Sequence, residues 1–160
     1  MTVIIRPLKK NEPLPMDLLL LADPDREKVN SYLEKNQLII SECNQQVIGV
    51  LVLGYSQNQA EIKNVAVSEQ CQGKGIATLL VEYAITSYLK GLKIQAQDSQ
   101  DYPLYVKTGE TSLPAIKVYT RCGFKEVKRE VNYFVQHYSE PIYEFGQLLK
   151  DQLIFQYLPN

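Results

Sequence analysis

The chain has 160 residues, with 17 lysines and arginines against 18 aspartates and glutamates, a formal net charge of -1 and 45% hydrophobic residues. That length fits a single domain over residues 1–160 and supports a core without disulfide staples. The apolar content excludes a disordered chain, and the balanced charge argues against a nucleic-acid binder, which carries a basic excess.

The N-terminus reads Met1-Thr2-Val3-Ile4-Ile5-Arg6 and lacks the basic region and apolar stretch of a signal peptide. Residues 2–6 form a β-branched run and a first strand. Pro13 and Pro15 interrupt the chain after it. Residues 17–21 and 25–35 read as two helical pieces, with Asp25 capping the second. Residues 38–43 and 46–55 are two apolar strands, and Asn44-Gln45 makes a tight turn between them. The run from 47 to 53 is apolar on both faces, as suits a covered central strand. It is far short of the ~18 residues of a membrane span.

Residues 60–67 form the next strand, and its alternation slips. Ala60 and Ile62 share one parity, while Val65 and Val67 take the other. A β-bulge near Asn64 explains the slip, and so does a strand buried on both faces. From Ile76 the period is helical, through Leu79, Leu80, Tyr83 and Ser87. Gly91 either ends this helix or sits inside it at about 1 kcal/mol. Residues 95–103 are polar and irregular, and 104–108 form a strand. Residues 114–121 form a short helix capped by Thr111 or Ser112, with Pro114 in its first turn. Residues 124–134 and 152–158 read as closing strands, joined by a loop around 141–146.

Cys43, Cys71 and Cys122 are odd in number and lack C-x-x-C spacing, which argues against a disulfide framework or a zinc site. A soluble cytoplasmic protein without metal, membrane or nucleic-acid partner is the expectation.

The chemistry sits in Val65-Ala66-Val67-Ser68-Glu69-Gln70-Cys71-Gln72-Gly73-Lys74-Gly75-Ile76-Ala77, a strand, a small-residue loop and a helix start. Glycines there let backbone N–H groups approach a ligand, and the helix N-terminus adds partial positive charge. The combination suits a phosphate or pyrophosphate, with Lys74 as an added cation. A P-loop would need G-x-x-x-x-G-K-[ST], which is absent. A dinucleotide fingerprint fails because Thr78 stands where the third glycine belongs.

The pattern present, Gln72-x-x-Gly75-x-Ala77, resembles the Q/R-x-x-G-x-G/A motif of the GNAT superfamily of acetyl-CoA-dependent N-acetyltransferases. A second match runs from Ser112 through Ala115 and Tyr119 to Gly123-Phe124, similar to N-x-x-A-x-x-x-Y-x-x-x-G-F. It departs at Ser112, where the family has asparagine. The resemblance covers about residues 2–135, and the tail from Asn132 to Gly146 looks like one bacterial subgroup of uncertain substrate.

This resemblance implies an α+β GNAT fold: a mixed central sheet of about six or seven strands, splayed at a β-bulge and flanked by about four helices. It implies acetyl-CoA as cofactor. Val65, Ala66 and Val67 would contact the pantetheine arm, and Gln72, Gly73, Lys74, Gly75, Ile76 and Ala77 would hold the pyrophosphate. Ser112 and Tyr119 would complete the cofactor site. The reaction would be direct acetyl transfer to a primary amine of a small molecule or protein, with the N–H near Val65 facing the thioester oxygen. Tyr119 would protonate the departing thiolate, unless it is one more packing tyrosine among 11. Glu61 would act as base, unless it is a surface carboxylate beside Lys63. Glu110 and the lone His137 are weaker candidates for acceptor contact. Cys71 and Cys122 lack a partner histidine in any motif and read as bystanders. Superfamily members are often dimers, so the resemblance leaves both a monomer and a homodimer open. A non-catalytic acyl-CoA sensor and a structural domain without CoA are the alternative readings. The 95–103 loop and the 136–146 segment are the least family-like parts and are expected to shape the acceptor site.

Overall fold

A computed structural model describes residues 1–159. A seven-stranded sheet has the order β1-β2-β3-β4-β5-β9-β6. Its strands are β1 (Ile4–Pro7), β2 (Gln37–Cys43), β3 (Gln46–Tyr55), β4 (Ala60–Val67), β5 (Leu104–Gly109), β6 (Phe124–Glu130) and β9 (Gln152–Tyr157). All neighbours are antiparallel except β4 and β5, which run parallel. A small hairpin, β7 (Tyr143–Glu144) and β8 (Gln147–Leu148), lies apart from the sheet.

The helices are α1 (Met16–Ala22), α2 (Arg26–Leu33), α3 (Ile76–Gln95), α4 (Leu113–Arg121) and α5 (Tyr133–His137). On one sheet face, α3 packs Leu80, Val81, Ala84 and Tyr88 against Leu51, Leu53, Ile62 and Val106. On the other, α1 and α2 pack Leu19, Val29 and Leu33 against Ile40, Val50, Val52 and Ala66. The central strand β3 therefore sends alternate residues to two cores, which is why its sequence is apolar throughout.

Local signals explain several boundaries. Asp25 caps α2, accepting from Glu27 N at 3.0 Å and Lys28 N at 3.3 Å. Such a cap is worth about 1 kcal/mol. Asn44 and Gln45 both have positive φ, 51° and 65°, the geometry of a two-residue hairpin turn. Helix α3 runs through Gly91 and ends at Gln95, where Ala96 takes the left-handed conformation.

Two expectations are corrected. The strand read as 124–134 stops at Glu130. Asn132 turns the chain with φ 58°, its N–H donates to Asp151 Oδ1 at 2.9 Å, and α5 comes next. Ser112 occupies the cap position of α4, but no side chain caps that helix.

Candidate active site

The site begins at the bulge. Val52 pairs with Asn64 while Leu53 pairs with Ile62, so Lys63 is the extra residue. The slip moves the α3-facing parity from Ala60 and Ile62 to Val65 and Val67, and turns Asn64 and Ala66 toward α1 and α2. Beyond the bulge β4 and β5 also part. Their pairing covers Ala60 to Ile62 against Leu104 to Val106 and goes no further. Val65, Ala66 and Val67 keep their ladder to β3 and have no strand on the other side. A gap therefore opens between two parallel strands, lined by backbone groups that a ligand can pair.

The glycine loop closes one end of this gap. Gly73 and Gly75 have φ 77° and 80°, a conformation that side chains resist. Beyond its chain neighbours, a Cβ at either would meet no atom within 4 Å, so the space beside both is open. The first hydrogen bond onto α3 is Leu79 N to Gly75 O at 3.2 Å. The N–H groups of Ile76, Ala77 and Thr78 precede it, and no side chain caps the helix. With a 20-residue helix behind them, these free N–H groups carry the partial positive charge that attracts anions. Lys74 is exposed in the loop. Gln72 instead holds the loop in place: its Nε2 donates to Val67 O at 3.0 Å.

Tyr119 lies on α4, its ring 5.9 Å from Phe124 and 6.2 Å from Phe155. It is only 5% exposed, and burial pushes its phenol well above the usual range near 10. Glu61 precedes the bulge on the face away from α3, with its Oε1 3.5 Å from Lys63 Nζ. Ser112 donates from Oγ to Glu144 Oε1 at 2.5 Å, so its hydroxyl ties the β7–β8 hairpin to α4.

The remaining candidates have structural partners. Glu110 accepts from Asp151 N at 3.2 Å and lies 3.6 Å from Arg129. His137 stacks on Tyr133 at 4.2 Å and is exposed. Cys71 and Cys122 are half-buried beside the α3 core. The 97–103 loop is tied to the β3–β4 turn through Tyr102 Oη and Ser56 O, 2.5 Å apart, at the end of β4 remote from the glycine loop. That position gives no support to the acceptor-shaping role expected of it. The 136–146 segment is tied to the α1–α2 loop, where Tyr138 Oη donates to Asp23 Oδ1 at 3.2 Å. Asp23, Asn64 and Glu144 are contacts that periodicity does not reveal. Among the described residues, no group of three or more metal-ligating side chains occurs, and no helix is long and apolar enough to cross a membrane.

Known proteins share this architecture. The chain is 35% identical over 138 residues to YvbK of Bacillus subtilis (strain 168), described as an uncharacterized N-acetyltransferase, covering 86% of this chain and 84% of that one. A GNAT family acetyltransferase from Elizabethkingia anophelis, solved with acetyl-CoA bound, superposes with a TM-score of 0.82 at 32% identity over 96% of each chain. A Bacillus subtilis acetyltransferase in complex with CoA gives a TM-score of 0.82 at 30% identity over 97% of each chain. The sequence profile of the acetyltransferase (GNAT) domain matches residues 34–126, from β2 through the glycine loop to β6. The gapped sheet, the loop and these likenesses agree, and the chain belongs to the GNAT acetyltransferase family.

Proposed function

We propose that the chain transfers the acetyl group of acetyl-CoA directly to a primary amine of a small molecule or protein, both bound at once. The observation that carries this reading is the glycine loop, whose uncapped N–H groups at the start of α3 adjoin the gap between β4 and β5. The residues present fit the cofactor: positive-φ glycines with open space beside them suit a pyrophosphate, and the unpaired edge of Val65 to Val67 suits an extended amide arm. When bound, the cofactor supplies an activated acyl carbon on a good leaving group.

The chain's own residues then do three things. The Val65 N–H donates to the thioester oxygen as negative charge gathers there. Glu61 takes the proton of the attacking ammonium through water, since only the free amine is a nucleophile. Tyr119 donates its phenolic hydrogen toward the sulfur as the C–S bond breaks and the C–N bond forms. The raised pKa of Tyr119 keeps it protonated through the neutral range.

A non-catalytic acyl-CoA-binding module is the second reading, favoured by one observation: the Ser112 hydroxyl, at the position where the family has asparagine, is taken by Glu144. Calorimetry with acetyl-CoA and thiol release over a panel of primary amines separate the two. Saturable binding with thiol release supports transfer. Binding without release from any amine supports the sensor, and no binding at millimolar cofactor ends both.

Glu61→Gln is expected to slow turnover about 100-fold while leaving the acetyl-CoA Kd unchanged, as loss of a general base does. Steady-state thiol release reads it out. An unaltered rate places the base elsewhere.

A further inference from the structure

A second cluster borders the gap on the α1–α2 side. Leu19 O accepts from Asp23 N at 3.2 Å and from Asn64 Nδ2 at 2.9 Å. Helix α1, next to its C-terminal cap, is thereby tied to β4 one residue before Val65. Asn64 Nδ2 also donates to Tyr32 Oη at 3.0 Å. Asp23 Oδ1 accepts from Asp25 N at 3.1 Å and from Tyr138 Oη at 3.2 Å.

Two acceptor atoms are left over. Among the described residues, Asp23 Oδ2 receives no hydrogen bond. Asn64 Oδ1 is buried without a donor, in a residue only 5% exposed. An orphaned buried acceptor costs about 1–3 kcal/mol, so its retention calls for a reason. Asp23 also has no salt-bridge partner among the described residues. Lys28, the nearby cation, holds its Nζ 4.6 Å over the Tyr138 ring instead. Partial burial raises the Asp23 carboxyl above its usual range, and neither its hydrogen bonds nor the charge of Lys28 offsets that. Tyr32 is pushed up to about 12, also by burial, and stays neutral. Phe134 packs on Tyr138 with ring centroids 5.6 Å apart, so the tyrosine that donates to the carboxylate is backed by a second ring.

An organic ammonium supplies what this cluster lacks. It brings one positive charge, three N–H donors and a body that rings can cover. A carboxylate beside the nitrogen would instead meet Asp23 and Asp25. We propose that Asp23, with Tyr32, Tyr138 and Asn64, is the acceptor subsite and receives the ammonium of a primary amine carrying no carboxylate next to its nitrogen. The proposal rests on the acetyl-transfer reading. Asp23 binds the amine, and Glu61 takes its proton.

Tyramine and tyrosine, which differ by that one carboxylate, test it. Calorimetry first establishes acetyl-CoA binding by the wild type and by Asp23→Asn, with equal Kd expected. In thiol-release assays the wild type is expected to prefer tyramine in kcat/KM by more than about tenfold, because the tyrosine carboxylate would be repelled by the half-buried Asp23. Asp23→Asn is expected to raise KM for tyramine about 10- to 100-fold, the weight of a charged hydrogen bond, with kcat within about threefold. Tyr138→Phe, which keeps the ring and removes the donor to Asp23, is expected to raise KM less, by about threefold, and serves if Asp23→Asn does not fold. Normal acetyl-CoA binding with tyramine untouched, with tyrosine used equally, or with KM unmoved in both variants overturns the subsite and leaves the cofactor reading standing. Failure of the wild type to bind acetyl-CoA overturns that reading and the subsite together.

Discussion

Gly75→Val is expected to weaken acetyl-CoA binding by about 100-fold or more, the largest loss any single change to this loop should give. Two effects act together. Gly75 holds φ 80°, where a β-branched residue costs roughly 1–2 kcal/mol of strain. Relief of that strain turns the peptide leading into Ile76 and Ala77, so their N–H groups leave the anion site. Each charge-assisted hydrogen bond lost there is worth about 1.5–3 kcal/mol, and 1.4 kcal/mol is tenfold in affinity. The valine methyls also enter the space beside the loop, which no protein atom fills within 4 Å of a Cβ. The fold should persist, because Gly75 is exposed and touches neither core. Calorimetry with acetyl-CoA and a thermal melt of the free protein measure both halves. A Kd within about threefold of wild type would show that the loop does not hold the phosphates.

The half of the site that lies on consecutive residues was legible in the sequence. The parity slip around Asn64 marked the bulge, because a strand with one extra residue must exchange its two faces, and Lys63 proves to be that residue. The loop with Gly73 and Gly75 was legible because left-handed backbone demands glycine. The contacts proposed to form the acceptor subsite were not. Tyr138 meets Asp23 across 115 positions, and Glu144 meets Ser112 across 32. Hydrogen bonds between separate loops leave no period to detect. The strand read through Phe134 failed for a related reason. Val131, Tyr133 and Phe134 are strand-favouring residues that prolong the run of β6, but Asp151 captures the Asn132 N–H and the chain turns into α5. Gly91 was ambiguous because a glycine inside a helix and one that ends it look alike until packing decides.

Tyr119→Phe is expected to lower kcat about 100-fold and leave KM for acetyl-CoA near its original value. The ring should stay where it is, since its contacts with Phe124 and Phe155 involve no oxygen. Among the described residues the hydroxyl has no hydrogen-bond partner, so its removal orphans no protein group. Stability should therefore change by less than about 1 kcal/mol. The kinetic loss comes from the sulfur side of the reaction. Charge builds there as the C–S bond breaks, and the departing thiolate is stabilised by a donor. Burial raises the phenol pKa, which makes complete proton transfer more uphill than for a free tyrosine and leaves hydrogen-bond donation in the transition state as the main contribution. The loss should accordingly lie toward the low end of the 10²- to 10⁴-fold range for acid–base groups. An unchanged kcat, measured by thiol release with the variant shown to be folded, would reduce Tyr119 to a packing residue on α4 and shift thiolate stabilisation to backbone N–H groups along the gap.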